Sequence, residues 1–271
     1  MDKQNNLTIP VAIIIAGALI AAGVFFSNQE SGGSSGPTGQ KNNEQQVKEI
    51  SLAPITSEDH ILGNPEAEIK IVEFSDIECP YCKRFHATMN QVIEEYGKDG
   101  KVAWVYRHFP LDQLHSNARK EAEATECAAE LGGNTGFWDY TNKLYETTSS
   151  NDGLDLTKLP DLAEEVGLDR TAFEECLRSE RHAYTVESQY QDGVTAGVRG
   201  TPHNIIVLNN GDKVALSGAI PYEFMEIVIG MALNNTGAEV INGFVELVKS
   251  GAPSEVIEEF LLENYPAGVV E

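Results

Sequence analysis

The chain has 271 residues, of which 41% are hydrophobic, and this content is sufficient for the core of one large domain and excludes a disordered chain. Its 42 acidic and 19 basic side chains give a formal net charge of -23 at pH 7, which favours solubility. Because that charge repels phosphate backbones, it excludes nucleic acid as an expected partner.

The first predicted element is an apolar segment near the N-terminus. Residues 7–26, LTIPVAIIIAGALIAAGVFF, carry no charged side chain, and as a helix they would be roughly 30 Å long, which matches the hydrocarbon core of a bilayer. Lys3 precedes the segment and no Lys or Arg follows it until Lys41, which favours a cytoplasmic N-terminus. We therefore predict that residues 1–27 are a transmembrane anchor or signal segment, with an uncleaved anchor favoured, and that residues 28–57 form a flexible linker.

A strand, a helix and a second strand are predicted next. The apolar, β-branched run EIKIVEF (68–74) lies between turn-forming residues and is typical of a buried strand. From Pro80, apolar residues recur at helical spacing as far as Gly97. KVAWVYRHF (101–109) is predicted as the second strand, and this order favours parallel pairing through a right-handed crossover.

The remaining chain is predicted to be helical apart from one hairpin. Helical patterns fill residues 114–198, beginning with two separate helices, NARKEAEATECAAEL and FWDYTNKLYETT. HNIIVL (203–208) and KVAL (213–216) flank NNGD and predict a β-hairpin, which a helix over residues 222–233 should cover. Residues 235–271 are predicted as a helical extension without chemistry of its own.

The segment ECPYC (78–82) is the strongest candidate for chemistry. A zinc site built from Cys79, Cys82 and His86 lacks a fourth ligand, although the sequence leaves copper open. A purely structural disulfide is disfavoured, because a bridge that closes so short a loop removes little chain entropy. The remaining interpretation is a redox-active pair.

The redox interpretation uses the position of the pair at a strand-to-helix junction. Unpaired backbone N–H groups and the helix dipole would stabilise a Cys79 thiolate, so we expect its pKa within roughly 3.5–7.5. Pro80 is tolerated in the first helical turn, and Cys82 lies one turn further on, facing the first sulfur. Glu78 opposes thiolate formation, but we expect its exposure to solvent to weaken this effect.

Glu73 is a carboxyl group within the otherwise apolar first strand. If its side chain points beneath the helix, burial raises its pKa and it can exchange a proton with Cys82. The alternative is a solvent-exposed side chain at a strand edge, and burial rules do not decide between the two.

The segment GTPHNIIVL (200–208) adds a second marker, a Thr201-Pro202 pair directly before a strand. Together with VEFSDIECPYC, YRHFPL, FWDYTNKLY and GLDRTAFEECL, in this order, it makes most of the chain resemble the DsbA-like branch of the thioredoxin superfamily, of the membrane-anchored DsbA/BdbD type. The resemblance implies an α/β, thioredoxin-like fold over residues 58–234, with an inserted all-helical domain at about 113–198. The N-terminal transmembrane helix and the extension over residues 235–271 lie outside it.

The resemblance also implies roles for individual residues. Cys79 would be the exposed attacking cysteine, Cys82 the buried resolving cysteine, and Glu73 the buried acid beneath them. Thr201 and Pro202 would form a cis-proline loop that packs against the disulfide and binds an extended substrate segment.

The residues beside these positions differ from those of many relatives. The active-site dipeptide Pro80-Tyr81 is familiar from glutaredoxins, whereas strongly oxidising relatives often carry Pro-His, and the dipeptide tunes the redox potential. His203 follows the proline where relatives often carry Thr. It would either stabilise the Cys79 thiolate or simply begin the strand, and we favour the second interpretation.

Cys127 and Cys176 form a second pair. Both lie on predicted helices of the insert, and relatives sometimes bridge these positions, so the resemblance implies a structural disulfide. Such a bridge would close a loop of about fifty residues and stabilise the fold by on the order of 4 kcal/mol in the chain-entropy model. The alternative is a pair of buried free thiols.

The function implied by the resemblance is that of an extracytoplasmic thiol-disulfide oxidoreductase, held at the membrane in the periplasm or at the cell exterior. It would be a dithiol oxidase that forms disulfides in exported proteins, re-oxidised by a quinone-linked membrane protein of the DsbB or VKOR-like kind. It would need no metal and no cofactor besides the Cys79–Cys82 disulfide. A disulfide isomerase or reductase would use the same residues, and a copper- or zinc-binding module that uses Cys79, Cys82 and His86 is the alternative from another class. Because residues 28–57 are too few for an extra dimerisation domain, we expect a monomer.

Overall fold

The sheet at the centre of the fold has five strands in the order β1-β3-β2-β4-β5. The computed structural model describes residues 50–265. The strands are β1 His60–Gly63, β2 Ile69–Ser75, β3 Val102–His108, β4 His203–Val207 and β5 Lys213–Ser217. β2 and β3 pair in parallel and all other neighbours are antiparallel, which confirms the predicted strand-helix-strand unit and the predicted hairpin. The sequence missed β1, because its four residues HILG are too few to show an alternating pattern.

Helices occupy most of the remaining described chain, as predicted. They are α1 Pro80–Val92, which continues into a π-helical turn over Ile93–Gly97, α2 Ala118–Thr147, α3 Leu159–Glu165, α4 Arg170–Ser179, α5 Ala183–Ala196, α6 Tyr222–Leu233, α7 Ala238–Lys249 and α8 Ser254–Asn264, with a short 3-10 turn over Leu156–Lys158. The two helices predicted around residues 117–148 are confirmed: α2 consists of two helical segments that meet at Gly133, whose backbone angles, φ 64° and ψ -159°, are not helical. Glycine adopts this positive φ without steric cost, so the chain changes direction there.

The two faces of β2 carry different kinds of side chain, because successive residues of a strand point to opposite faces. Val72 and Phe74 lie on one face, in an apolar cluster that includes Val105, Phe109, Val198 and Ile205. Glu73 and Ser75 lie on the other face, together with the large rings of β3 and α2. There the rings of Trp104 and Trp138 are 4.6 Å apart between centroids.

Residues 50–57 are ordered against the sheet, whereas the sequence assigned them to the flexible linker. Ile50, Leu52 and Ile55 pack against the apolar cluster on the first face of β2. The buried guanidinium of Arg107 donates hydrogen bonds to the backbone oxygens of Ala53 and Pro54 at 3.1 Å each. Local polarity predicted a linker here, but the partners that hold this segment come from distant parts of the sequence.

The chain divides into two compact units, and the described part of one of them is Gly230–Tyr265. Within it, α7 and α8 form the predicted helical hairpin, and the rings of Phe244 and Phe260 stack at 6.4 Å. The other unit, Ile50–Ile229, contains the sheet and helices α1 to α5. Among residues 50–265 we find no helix with the length and apolarity that a membrane crossing requires, and the predicted anchor over residues 1–27 lies outside the described residues.

Candidate active site

The CPYC segment lies where β2 ends and α1 begins. Cys79 is the N-cap residue of α1, with extended backbone angles, and Pro80 occupies the first helical turn as predicted. The backbone oxygen of Cys79 accepts a hydrogen bond from the N–H of Lys83 at 3.0 Å. The Cys79 sulfur is therefore held at the positive end of the helix dipole, where a thiolate is stabilised.

Both sulfurs of the pair are free thiols and both are buried. Cys82 is 0% exposed, as the resemblance implied, but Cys79 is only 3% exposed, so the expectation of an exposed attacking cysteine is wrong for this state. The covering comes from the Thr201-Pro202 loop, whose peptide bond is cis. The backbone oxygen of Thr201 lies 3.5 Å from the Cys79 sulfur. This loop therefore lies directly against the Cys79 sulfur.

The pKa values of the two thiols are shifted in opposite directions. The Cys82 thiol is the largest influence on its neighbour and lowers the pKa of Cys79 to about 6, against the effect of burial. The side chain of Thr201 and the backbone N–H groups of Tyr81 and Cys82 add to this lowering. Burial and the adjacent Cys79 raise the pKa of Cys82 well above its usual range. At neutral pH the pair therefore consists of a thiolate at Cys79 and a neutral thiol at Cys82.

Glu73 is buried directly under the pair, so the alternative of an exposed side chain at a strand edge is excluded. Burial raises the pKa of Glu73 to about 8, although the hydrogen bond from Ser75 and the nearby indole of Trp104 oppose this. A carboxyl group with this pKa is suited to accept and donate a proton near neutral pH.

A chain of hydroxyl groups leads from Glu73 towards α2, and the sequence reasoning missed it. The Ser75 hydroxyl donates to Glu73 Oε1 at 2.6 Å and lies 3.0 Å from the Tyr145 hydroxyl. The Tyr145 hydroxyl is in turn 3.2 Å from that of Tyr106. Ser75 could have been found, since it lies two residues after Glu73 in a strand and therefore shares its face. Tyr145 could not, because nothing in its own helix indicates the strand it contacts.

Glu78, which the sequence analysis expected to be exposed, is also fully buried. Its carboxylate accepts hydrogen bonds from the Thr148 hydroxyl at 2.9 Å and from the N–H of Gly153 at 3.1 Å. Glu121 of α2 is also fully buried, and burial, together with the nearby carboxyl group of Glu78, raises the pKa of Glu121 to about 10. Neither carboxyl oxygen of Glu121 has a hydrogen-bond partner among the described residues.

Asp76 and His115 form a further polar pair beside the cysteines. Asp76 Oδ2 accepts from the His115 ring at 2.9 Å and from the N–H of Leu111 at 2.8 Å. Burial opposes a charge on His115, but Asp76 and, to a smaller extent, Cys79 raise the pKa of the ring. The N–H of Asp76 lies 3.5 Å from the Cys82 sulfur, so this residue links the polar pair to the redox pair.

The remaining predicted site residues to be described are Tyr81 and His203. Tyr81 is 45% exposed, and the Arg84 guanidinium lies 5.2 Å from the centre of its ring. His203 begins β4, is paired in register with Phe74, and contacts the Ser217 hydroxyl through Nδ1 at 3.0 Å. It begins the strand, as the favoured interpretation expects, and its influence on the Cys79 thiolate stays a prediction.

The alternative metal site is not assembled. His86 Nε2 contacts the side-chain oxygen of Asn142 at 2.6 Å, and burial lowers the pKa of the ring to about 4. Within residues 50–265, only Cys127, Cys176 and His182 bring three candidate ligand atoms within 4.8 Å of one another. Both of these sulfurs are already bonded to each other.

The second cysteine pair forms a disulfide. Cys127 of α2 and Cys176 of α4 are joined across a sequence separation of 49 residues, with their Cα atoms 5.8 Å apart. Both residues are 1% exposed. Beside the bridge, Glu130 forms ion pairs with Arg181 at 2.6 Å and with His182 at 2.9 Å.

The chain matches one protein family and is similar to several solved structures. The family profile described as thioredoxin matches residues 56–224. Among solved structures, DsbA2 of Pseudomonas aeruginosa is 26% identical with a TM-score of 0.51 and covers 59% of this chain and 87% of that one. Oxidised BdbD of Bacillus subtilis is 23% identical with a TM-score of 0.60 and covers 69% of this chain and 98% of its own.

The similar curated proteins are larger. The Na+/H+ antiporter NhaA 1 of Mycolicibacterium gilvum is 32% identical over 154 residues, which are 56% of this chain and 24% of that protein. The Na+/H+ antiporter NhaA 3 of Salinispora tropica is 34% identical over 144 residues, or 53% of this chain and 21% of that protein. The chain thus spans less than a quarter of the length of these relatives, and the similarity concerns one segment of them.

Proposed function

We infer the activity of this chain from the thioredoxin family, to which it belongs through residues 56–224. We propose that it is a thiol-disulfide oxidoreductase that forms disulfides in exported, cysteine-containing proteins through Cys79 and Cys82. The observation that carries the proposal is the placement of two free sulfurs at the start of α1, between the Thr201-Pro202 loop and the buried carboxyl group of Glu73.

The acidity of the pair supports thiol-disulfide exchange. A cysteine that is stabilised as a thiolate is a good leaving group, and a more stable thiolate makes the disulfide more oxidising. The pKa of Cys79, lowered to about 6 by Cys82, stabilises the reduced form in this way at neutral pH.

The reaction proceeds by two exchanges. A substrate thiolate attacks Cys79 Sγ in the Cys79–Cys82 disulfide, a mixed disulfide with Cys79 forms, and Cys82 leaves as a thiolate that takes up a proton. A second substrate thiolate then attacks the substrate sulfur of the mixed disulfide, and Cys79 leaves as its stable thiolate. The substrate loses two electrons and gains a disulfide, while the Cys79–Cys82 disulfide is reduced to a Cys79 thiolate and a Cys82 thiol.

The cellular setting belongs to the same proposal. An oxidising dithiol is useful outside the cytoplasm, where disulfides form and persist, and the Cys127–Cys176 bridge is typical of a protein that folds there. We place the catalytic unit in the periplasm or at the cell exterior, held by the predicted anchor and acting as a monomer. A quinone-linked membrane protein of the DsbB or VKOR-like kind would return the pair to its disulfide form.

The test is oxidation of a reduced, unfolded test protein by the full chain after its own pair has been oxidised. The wild type should form disulfides in the test protein stoichiometrically, and Cys79→Ser should abolish this activity. The double variant Cys127→Ala/Cys176→Ala is the matched control, because it removes the other pair and should keep the activity per folded molecule. Activity that survives Cys79→Ser would refute the proposal.

The reduction potential of the Cys79–Cys82 pair, measured by equilibration with glutathione, distinguishes an oxidase from a reductase. A reduction potential near that of the strong oxidants, about −120 mV, would support a dithiol oxidase. A potential near about −270 mV, typical of thioredoxin, would instead identify a reductase that uses the same residues.

A further inference from the structure

The sulfur that leaves in the first exchange is buried. Cys82 becomes a thiolate at a position that is 0% exposed, where a charge without solvation is costly. The backbone N–H of Asp76, the residue that follows β2, donates to this sulfur at 3.5 Å. A donor of this kind stabilises the charge that develops on a leaving group, provided that the direction of the donor is held.

The direction of this N–H is set by the peptide bond between Ser75 and Asp76. This peptide bond is trans, so its C=O and its N–H point to opposite sides of one plane. The Ser75 oxygen accepts a hydrogen bond from the N–H of Phe109 at 2.8 Å, just beyond the end of β3. The N–H of Asp76 therefore points away from that end of β3 and towards Cys82.

The Asp76 carboxylate joins the segments that meet at this peptide bond. Its Oδ1 accepts from the N–H of Glu78 at 2.8 Å, in the turn that leads to α1. Its Oδ2 accepts from the N–H of Leu111 at 2.8 Å and from His115 Nδ1 at 2.9 Å, both in the segment between β3 and α2. Because Asp76 is 2% exposed, these three hydrogen bonds replace those that water would make.

His115 is the donor among these three that acts through its side chain. A carboxylate only accepts hydrogen bonds, so Nδ1 of the ring carries the hydrogen in this contact. The backbone N–H of His115 also donates to the oxygen of Leu111 at 2.9 Å, which places both residues in one turn, shortly after Phe109. Without the ring, Oδ2 would keep one donor, and this turn would be held less firmly against Asp76.

We propose that the N–H of Asp76 stabilises Cys82 as it leaves, and that His115 is a positioning residue that holds this N–H in place through the Asp76 carboxylate. In the first exchange a bond forms between the substrate sulfur and Cys79 Sγ, and the Cys79–Cys82 bond breaks. Its electron pair stays on Cys82 Sγ, which accepts the hydrogen bond from Asp76 until it takes up a proton from the solvent, where the substrate thiol released one. Asp76 and His115 lose no proton, and the 3.5 Å contact is present with both cysteines reduced.

The inference rests on the proposed oxidoreductase activity, and its test separates the two exchanges. For the first exchange, the oxidised full chain is mixed with excess cysteine-containing peptide, and reduction of the Cys79–Cys82 bridge is followed by thiol trapping. His115→Leu should slow this step about fivefold. This is less than the ~10²–10³ expected for loss of a whole donor at a developing charge, because the N–H remains and is only less well aligned. His115→Asn, which keeps a donor near the position of Nδ1, should stay within twofold of the wild type.

The second exchange is the internal reference, because Cys82 does not leave in it. The Cys82→Ala variant is loaded with peptide through a mixed disulfide at Cys79, and release of this peptide by a second peptide thiol is timed with and without His115→Leu. The two rates should agree within twofold. If His115→Leu slows both exchanges equally, the ring acts on Cys79 or on the fold as a whole, and the positioning role is wrong.

Asp76→Asn tests the same link without a change of side-chain shape. Its amide nitrogen would face either the N–H of Glu78 or the two donors Leu111 and His115, so at least one of the three hydrogen bonds is lost. This variant should slow the first exchange about tenfold, because the carboxylate that fixes the N–H is gone. Its second exchange, measured again with Cys82→Ala, should change less than twofold.

The matched control is His60→Leu, which removes another buried contact between a histidine ring and a carboxylate, made to Glu126 at 3.0 Å. It should leave both exchanges unchanged, and equal slowing by His60→Leu and His115→Leu would contradict the proposal. If neither His115→Leu nor Asp76→Asn slows the first exchange more than twofold, the inference is wrong and the activity stands. If the peptide does not reduce the oxidised wild type at all, the proposed function fails and this inference fails with it.

Discussion

The two cysteine pairs of the 50–229 unit differ in their sequence separation and in their bonding. Cys79 and Cys82 lie within one helical turn, at a helix start, and are free thiols. Cys127 and Cys176 are 49 residues apart in sequence and connect two helices of the insert through a disulfide. A bridge across a long loop restricts the unfolded chain, whereas one across two residues restricts it little. Sequence separation therefore divides the pairs into one suited to stabilise and one suited to exchange.

The acidic side chains around the two pairs also differ. Beside Cys79, the carboxyl groups of Glu73, Glu78 and Glu121 are fully buried, and two of them have pKa values raised to about 8 and about 10. Beside the disulfide, Glu130 is partly exposed and ion-paired, and Arg181 and His182 lower its pKa. Burying acids without cationic partners costs stability, and this cost is found at the reactive pair only.

The largest expected effect comes from removing the structural disulfide. Cys127→Ala/Cys176→Ala should lower the free energy of unfolding by about 4 kcal/mol, because a loop of this length regains its entropy in the unfolded chain. Urea unfolding monitored by circular dichroism measures the change. Reducing the wild-type Cys79–Cys82 bridge is the control, and it should not destabilise the fold. A loss as large from reducing that bridge would remove the distinction between the two pairs.

A smaller effect on the free energy of unfolding should come from the buried acid Glu121. The folded-state pKa of Glu121, about 10, is raised above its unfolded value of 4.5, so its contribution to stability is fully present below pH 4.5 and is lost as the pH rises towards 10. Relative to Glu121→Gln, the free energy of unfolding of the wild type should therefore fall by up to about 3 kcal/mol between pH 6 and pH 8. Unfolding titrations at both pH values measure this difference.

The control for this prediction lies on the same helix. Glu146→Gln removes an exposed carboxyl group of α2, and its pH profile should run parallel to that of the wild type. Parallel profiles for Glu121→Gln and the wild type would show that the buried acid pair has no role in the stability difference between the two regions.

These contrasts also explain which features the sequence could predict. The β2-α1-β3 unit, the β4-β5 hairpin and the placement of CPYC at a helix start follow from local periodicity and turn residues. The resemblance placed the Thr201-Pro202 loop, 122 residues downstream, against the cysteine pair, but local patterns did not show that Cys79 would be buried there. The burial of Glu78 was mispredicted and Glu121 was missed, because their surroundings require the insert to fold back onto the β2-α1 junction. Local patterns predicted the elements and the nucleophile, while tertiary packing determined the acids and hydroxyls around it.

The smallest predicted effect tests the acidity that separates the two pairs most directly. With a pKa of about 6 for Cys79, the alkylation rate of the reduced chain by iodoacetamide should rise about tenfold from pH 5 to pH 7 and then level off. Peptide mass spectrometry should find the label on Cys79, and none on Cys82, whose pKa is raised well above its usual range.

The cause of that acidity can be tested in the same assay. Because the Cys82 thiol is the largest influence on Cys79, Cys82→Ala should move the midpoint of alkylation to higher pH, whereas Cys127→Ala/Cys176→Ala should leave it near 6. A rate that keeps rising to pH 9 in the wild type would mean that Cys79 is an ordinary thiol. In that case the two pairs would differ only in the length of the loop that each one closes. The helix start and the neighbouring thiol would have no effect on the acidity of Cys79.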